Sequence, residues 1–188
     1  VNEVMGRISD GFVPWQENSF PGLLGNVVAG RIANRLDLHG TNCVVDAACA
    51  SSLSAAHLAI LELVTGKADM VITGGTDTFN DIFMYMCFSK TPALSPSGKI
   101  RPFSEASDGT LIGEGLGMVV LKRLADCGEQ DKVYAVIRGY GTASGGAVDS
   151  PTASAEAQGL AIFRALQEAQ SEPGQITYVE GCASGVPE

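Results

Sequence analysis

Val44-Val45-Asp46-Ala47-Ala48-Cys49-Ala50-Ser51-Ser52-Leu53 is the stretch on which the reading of this chain turns. Its left flank, Thr41-Asn42-Cys43-Val44-Val45, is short and β-branched, which predicts a buried strand. To its right, from Cys49 to about Thr65, nearly every residue is a good helix former, and Gly66 supplies the stop. Cys49 is thereby placed at a strand-to-helix turn, in the first turn of an apolar helix. Unpaired N–H groups and the positive dipole end of such a helix favour a thiolate, and they can hold an oxyanion forming on an attacked carbonyl. A cysteine among alanines is equally at home as small core filler, so spacing alone leaves both roles open.

Beyond Gly66, Ala68-Asp69-Met70-Val71-Ile72-Thr73-Gly74-Gly75 reads as a second buried strand ending in a glycine turn. Strand, helix and strand in this order predict a βαβ unit with parallel strands. The helix between them is apolar nearly all round, so it must be covered on both sides, which calls for a further layer. Upstream, residues 1–24 read as loop with short helical turns around Trp15 and Phe20. Leu24, Val27, Val28 and Ile32 then recur at helical spacing, with Arg31 and Arg35 on another face. Gly22, Gly25 and Gly30 follow no strand and lack the GxGxxG spacing, which argues against a nucleotide loop.

Downstream, residues 79–96 carry Phe79, Ile82, Phe83, Met84, Tyr85, Met86 and Phe88 in a loop-rich setting. Met and aromatic residues there suit an adaptable apolar wall as well as ordinary core. A Gly-rich turn feeds a strand at Gly117–Lys122, and Val133–Gly141 reads as another. Gly145-Gly146 through Pro151 is a small-residue loop without a phosphate-binding pattern. Residues 155–170 form an amphipathic helix with Leu160, Phe163, Leu166 and Ala169 on one side, and Ile176–Glu180 is a last strand.

The whole chain bounds the class of protein. Its 188 residues, 45% hydrophobic with 23 glycines and 6% aromatics, fit one α/β domain. The net charge of −9 argues against nucleic acid as a partner. No apolar run approaches the ~20 residues of a membrane span, and no leader resembles a signal peptide, so the expected compartment is the cytoplasm. The five cysteines are odd in number and show no CxxC pairing, which suits a reducing interior. His39 and His57 lack metal-ligand spacing, and His57, inside the apolar helix, reads as a satisfied core residue. The first residue is Val1, and the sequence reads as a piece of a longer protein.

Asp46-Ala47-Ala48-Cys49-Ala50-Ser51-Ser52 resembles the nucleophile motif of β-ketoacyl synthases, the condensing enzymes of fatty-acid and polyketide assembly. Gly25-Asn26 through Gly40, with the pattern GNxxAGRIANxxDLxG, resembles the helix and loop that precede the nucleophile strand. Phe88-Ser89-Lys90-Thr91-Pro92-Ala93-Leu94-Ser95 is similar to the segment beside the acyl pocket. Arg101-Pro102-Phe103 and Asp108-Gly109 through Gly113-Glu114-Gly115 match the RPF…DG…GEG signature. The resemblance is strongest to type I polyketide and polyunsaturated-fatty-acid synthase ketosynthases. It implies a five-layer αβαβα thiolase-like fold, here a fragment. Residues 1–131 would belong to the N-terminal half without its first strands, and 132–188 would start the C-terminal half.

The same resemblance makes Cys49 the acyl carrier of a decarboxylative Claisen condensation. It implies acyl and malonyl thioesters on an acyl carrier protein, whose phosphopantetheine arm is the only prosthetic group involved. No metal or bound cofactor is implied. A homodimer paired through Asn42–Val45 is implied as well. Asp108 and Glu114 look like an acid–base pair, yet structural roles in turns fit them better.

The sequence departs from the family pattern in two places. Ser104 follows RPF where Asp is usual. At the end of the last strand the family carries Ala-His-Gly-Thr-Gly-Thr-Pro, and this chain has Gly181-Cys182-Ala183-Ser184-Gly185-Val186-Pro187. With Glu180, Gly185 and Pro187 in register, Cys182 occupies the position of the catalytic His. This leaves two rival readings in play: a non-condensing chain-length or scaffold partner, and a coenzyme A thiolase.

Overall fold

The computed structural model describes residues 2–11, 14, 16–78, 80–91, 93–145, 154–182 and 184–186. Four helices lead in: α1 (Asn2–Asp10), α2 (Ser19–Leu23), α3 (Val28–Arg35) and α4 (Ser51–Val64). Strand β1 (Met70–Asp77), helix α5 (Ile82–Lys90), strand β2 (Gly115–Lys122) and helix α6 (Ala155–Ala169) follow. Among the described residues, no helix is long and apolar enough to cross a membrane.

The centre is a layer of α4 on one face of β1. Val71, Thr73 and Gly75 alternate along β1 on the shielded side, and Thr73 is buried. Opposite them, Ala59 and Leu63 are the buried residues of α4. β1 pairs antiparallel with β2, from Met70 opposite Lys122 to Asp77 opposite Gly115. Gly74 and Gly75 do not form the expected turn; the strand continues through both. A side chain on Gly74 would run into the carbonyl of Gly117 on β2, and a Cβ on Gly75 would stand 2.7 Å from Cβ of Ser52. The glycines let strand and helix approach where α4 begins.

Arg123 closes the other end. Its guanidinium donates to the carbonyls of Leu63 and Ala68 at 2.8 and 2.7 Å and pairs with Asp69 and Asp126. One side chain thus caps α4, fixes the turn into β1 and holds the end of β2. Hydrogen bonds to Asp69, then to Asp126, hold its pKa above the usual value for arginine. A planar fork does this; an ammonium cannot. Arg123→Met is expected to lower the melting temperature of the full-length protein by roughly several degrees. Arg123→Lys should recover only part of the loss, as differential scanning calorimetry would show.

Three predicted strands are not formed. Residues 41–45, 133–141 and 176–180 have no ladder, so the parallel βαβ pairing is absent among the described residues. A strand exists only with its neighbour, and β-rich sequence without one remains single extended chain. The expected loop of 79–96 instead contains α5, capped by Asp81, whose carboxylate accepts from the N–H of Met84 at 3.0 Å. The start of the chain contains the nine-residue α1 instead of loop. Trp15, Phe79, Pro92 and the loop at 146–151 lie outside the described residues.

The accessible surface is 15386 Å². A self-contained protein of 19.5 kDa has about 8,500 Å². Ala33, Ala59 and Leu63 are the only buried hydrophobic residues among those described, and Leu53, Leu61 and Val64 line an open face of α4. Apart from the stacking of Tyr140 on His57, that face of α4 is uncovered among the described residues.

Candidate active site

Cys49 sits in a single 3₁₀ turn, Ala48–Ala50, directly ahead of α4. The turn is held by its own polar neighbours. Asp46 accepts the N–H of Ala48 on its carboxylate at 3.0 Å. Ser51 accepts the N–H of Ala47 at 2.8 Å and donates its hydroxyl to the carbonyl of Ala48 at 2.7 Å. Between these two clasps Ala48 takes φ 49°, the left-handed region, which costs a non-glycine residue about 1 kcal/mol. The turn thereby thrusts Cys49 outward, and the residue is exposed. A strained backbone over-determined by its surroundings is a common way to present a nucleophile.

The contact of Gly75 with Ser52 fixes where this turn stands: at the end of the sheet where β1 leaves and β2 enters. Asn80 braces that end. It donates its backbone N–H to the Glu114 carboxylate at 3.0 Å and its side-chain amide to the carbonyl of Gly113. Glu114 is thus a structural brace. Gly75→Ala should force strand and helix apart at Ser52, at about 1–3 kcal/mol of stability, and displace the turn. Ser52→Gly in the same chain should restore both the melting temperature and the alkylation rate of Cys49.

Asp108 is structural too. It accepts the hydroxyl of Ser95 at 2.6 Å, with Arg101 at 4.0 Å. Hydrogen bonds from Ser95 and then Ser97, with Arg101 adding its charge, hold its carboxyl below the usual range. Beside it Gly109 has φ 142°, and a Cβ there would meet the backbone N of Ser95 at 2.5 Å. Ser104 accepts the N–H of Ala106 on its hydroxyl at 3.2 Å, so it makes the side-chain turn that an Asp makes.

The loop carrying Cys182 is pinned to this segment. The carbonyl of Gly185 accepts from the N–H of Gly109 at 2.9 Å and from the hydroxyl of Ser107 at 2.8 Å. Gly185 has φ 74°, the left-handed region that its glycine permits. Cys182 itself is exposed, and Ala183 and Pro187 lie outside the described residues. The segment that holds it runs on into β2, which enters the sheet at the Cys49 end. Neither thiol has a hydrogen-bond partner among the described residues.

His57 is not the satisfied core residue its position suggests. Its Nδ1 is buried without a partner among the described residues, and its ring stacks on Tyr140. Ala48, Asn80 and the Gly75–Ser52 contact carry no motif of their own. The run of small residues around Cys49 is the one available signal, since only small side chains fit so tight a turn.

A family model described as "Beta-ketoacyl synthase, N-terminal domain" matches residues 9–127, and "Beta-ketoacyl synthase, C-terminal domain" matches 134–188. The chain is similar to a polyunsaturated fatty acid synthase component from Thraustochytrium sp., at 49% identity over 94% of this chain and 6% of that protein. A phenolphthiocerol/phthiocerol polyketide synthase component from Mycobacterium tuberculosis is 44% identical over 83% of this chain and 9% of its own length. The chain therefore spans less than a tenth of these two relatives. Among solved structures, the ketosynthase from module 6 of the Bacillus subtilis bacillaene synthase superposes with a TM-score of 0.81 at 32% identity. The match covers 92% of this chain and 32% of that one. The chain belongs to the β-ketoacyl synthase family and is a fragment of a ketosynthase domain of thiolase-like fold.

Proposed function

We propose that the protein is an acyltransferase that condenses a Cys49-bound acyl chain with a malonyl unit, in fatty-acid or polyketide synthesis. The observation that carries this is the exposed Cys49 in a strained turn, fastened by Asp46 and Ser51 at the head of α4. The thiolate attacks the thioester carbonyl of an acyl carrier protein, and the phosphopantetheine thiol leaves with a proton. A malonyl group on a second carrier loses carbon dioxide. The resulting carbanion attacks the Cys49 thioester, releasing β-ketoacyl carrier protein and the free thiol. The chain binds no cofactor of its own in this scheme.

Cys182, in the position of the family's His, is assigned to the same site with a weakened role. The boundary near 131/132 is supported by the two family models, which meet between 127 and 134. A homodimer fits the unpaired extended segment 42–45, and a cytoplasmic setting fits five free thiols. A coenzyme A thiolase is not favoured, because the relatives named above are fatty-acid and polyketide synthases. The non-condensing partner has only Cys182 behind it.

The test gives the full-length protein an acyl-loaded carrier and carrier-bound malonyl labelled at its carboxylate. Labelled carbon dioxide and a β-ketoacyl carrier should form together. Acyl loading with neither product would leave the non-condensing partner; turnover of free acetyl-coenzyme A instead would leave the thiolase.

A further inference from the structure

We infer that His57 and Tyr140 form the joint through which the second half of the chain sets the position of helix α4, and with it Cys49. The inference rests on the reading of Cys49 as the nucleophile. The two rings stack with centroids 4.3 Å apart and an interplanar angle of 13°. A near-parallel pair of this kind favours the stacked state by about two- to tenfold beyond the area it covers.

Tyr140 is set up as the fixed side of the joint. Residues 131–138 are exposed, whereas Gly139, Tyr140 and Gly141 are half-buried. Both glycines lie directly on that helix: a side chain on Gly139 would run into the carbonyl of Ala165, and one on Gly141 into that of Ala161. Between them Tyr140 donates its backbone N–H to the Glu168 carboxylate at 2.8 Å. Arg138 donates to the carbonyl of Ala169 at 3.1 Å, and Arg164 donates to the carbonyl of Thr142. The backbone on either side of Tyr140 is thus fastened to α6, and the ring is left to reach α4.

His57 offers the other side only its face. Its Nδ1 is buried with no partner among the described residues, an arrangement that costs free energy, so hydrogen bonding at this atom is not what keeps the imidazole in place. The stack is. His57 lies less than two turns from the start of α4, and a helix over that span moves as a rigid rod. A tilt at His57 is therefore felt at the Cys49 turn. His57 and Tyr140 are positioning residues, since neither reaches the thiol.

The test uses the full-length protein with His57→Ala, His57→Phe, Tyr140→Ala and the double alanine variant. Two rates are read at Cys49 by peptide mass spectrometry, alkylation by iodoacetamide and acylation by an acyl thioester, below each variant's melting transition. Either alanine change should slow both rates about tenfold, and the double variant should be no slower than either single one. His57→Phe keeps a ring in the stack and removes the unpartnered nitrogen, so it should react like the natural protein. Should His57→Ala fail to fold, His57→Leu, apolar but not planar, takes its place.

Three results would overturn the joint. They are a His57→Phe variant as slow as His57→Ala, singles whose effects multiply in the double, or lower melting temperatures with Cys49 rates unchanged. Normal alkylation of a natural protein that no thioester can acylate would sink the proposed function instead, and the alkylation series would still decide the joint.

Discussion

Cys49→Ala is expected to abolish acyl loading of the full-length protein altogether. The acyl chain needs a sulfur nucleophile, and among the described residues no other thiol stands at a helix head with its turn fastened on both sides. Removing such a nucleophile outright costs on the order of a millionfold where it has been measured in other enzymes. Incubation with an acyl thioester or with cerulenin, followed by peptide mass spectrometry, should place the adduct on the Cys49 peptide and nowhere else. Cys43, Cys87 and Cys182 are also exposed and serve as internal controls. An adduct that persists in Cys49→Ala would mean that the reactive thiol is another one.

Cys182→His is expected to raise condensation by roughly a hundred- to a thousandfold while leaving acyl loading nearly unchanged. The two steps differ in what they demand. Loading needs the thiol and donors for a short-lived oxyanion. Decarboxylation needs in addition a neutral donor at the malonyl thioester oxygen, where negative charge grows. A thiol is a poor hydrogen-bond donor, and an imidazole N–H is a good one. Both steps can be followed in one vessel with labelled malonyl carrier protein. If the natural protein already condenses at a rate that Cys182→His does not improve, the exchange at this position is silent.

The sequence is most legible where the physics is local. Helices α4 and α6 lie within one or two residues of their expected ends because their periodicity and stop signals share one stretch. Asp46 through Ser52 announces the site because its polar clasps and small residues are adjacent. The strands are another matter. Residues 42–45, 133–141 and 176–180 have the right composition, but a ladder depends on a partner that composition cannot supply. Gly74-Gly75 reads as a turn because glycine marks turns and close packing alike, and only the approach of Ser52 tells them apart. His57 reads as satisfied because it lies within an apolar helix, yet its buried Nδ1 has no partner among the described residues.

The left-handed backbone at Ala48 sets a limit on how this turn can be diversified. In a saturation library across Asp46–Ser52, position 48 should return glycine, asparagine and the original alanine, and lose valine, isoleucine and threonine at the folding stage. Position 50, whose φ is −93°, carries no such filter. Anyone wishing to reshape acyl-chain preference beside the thiol therefore has backbone freedom at position 50 and almost none at position 48.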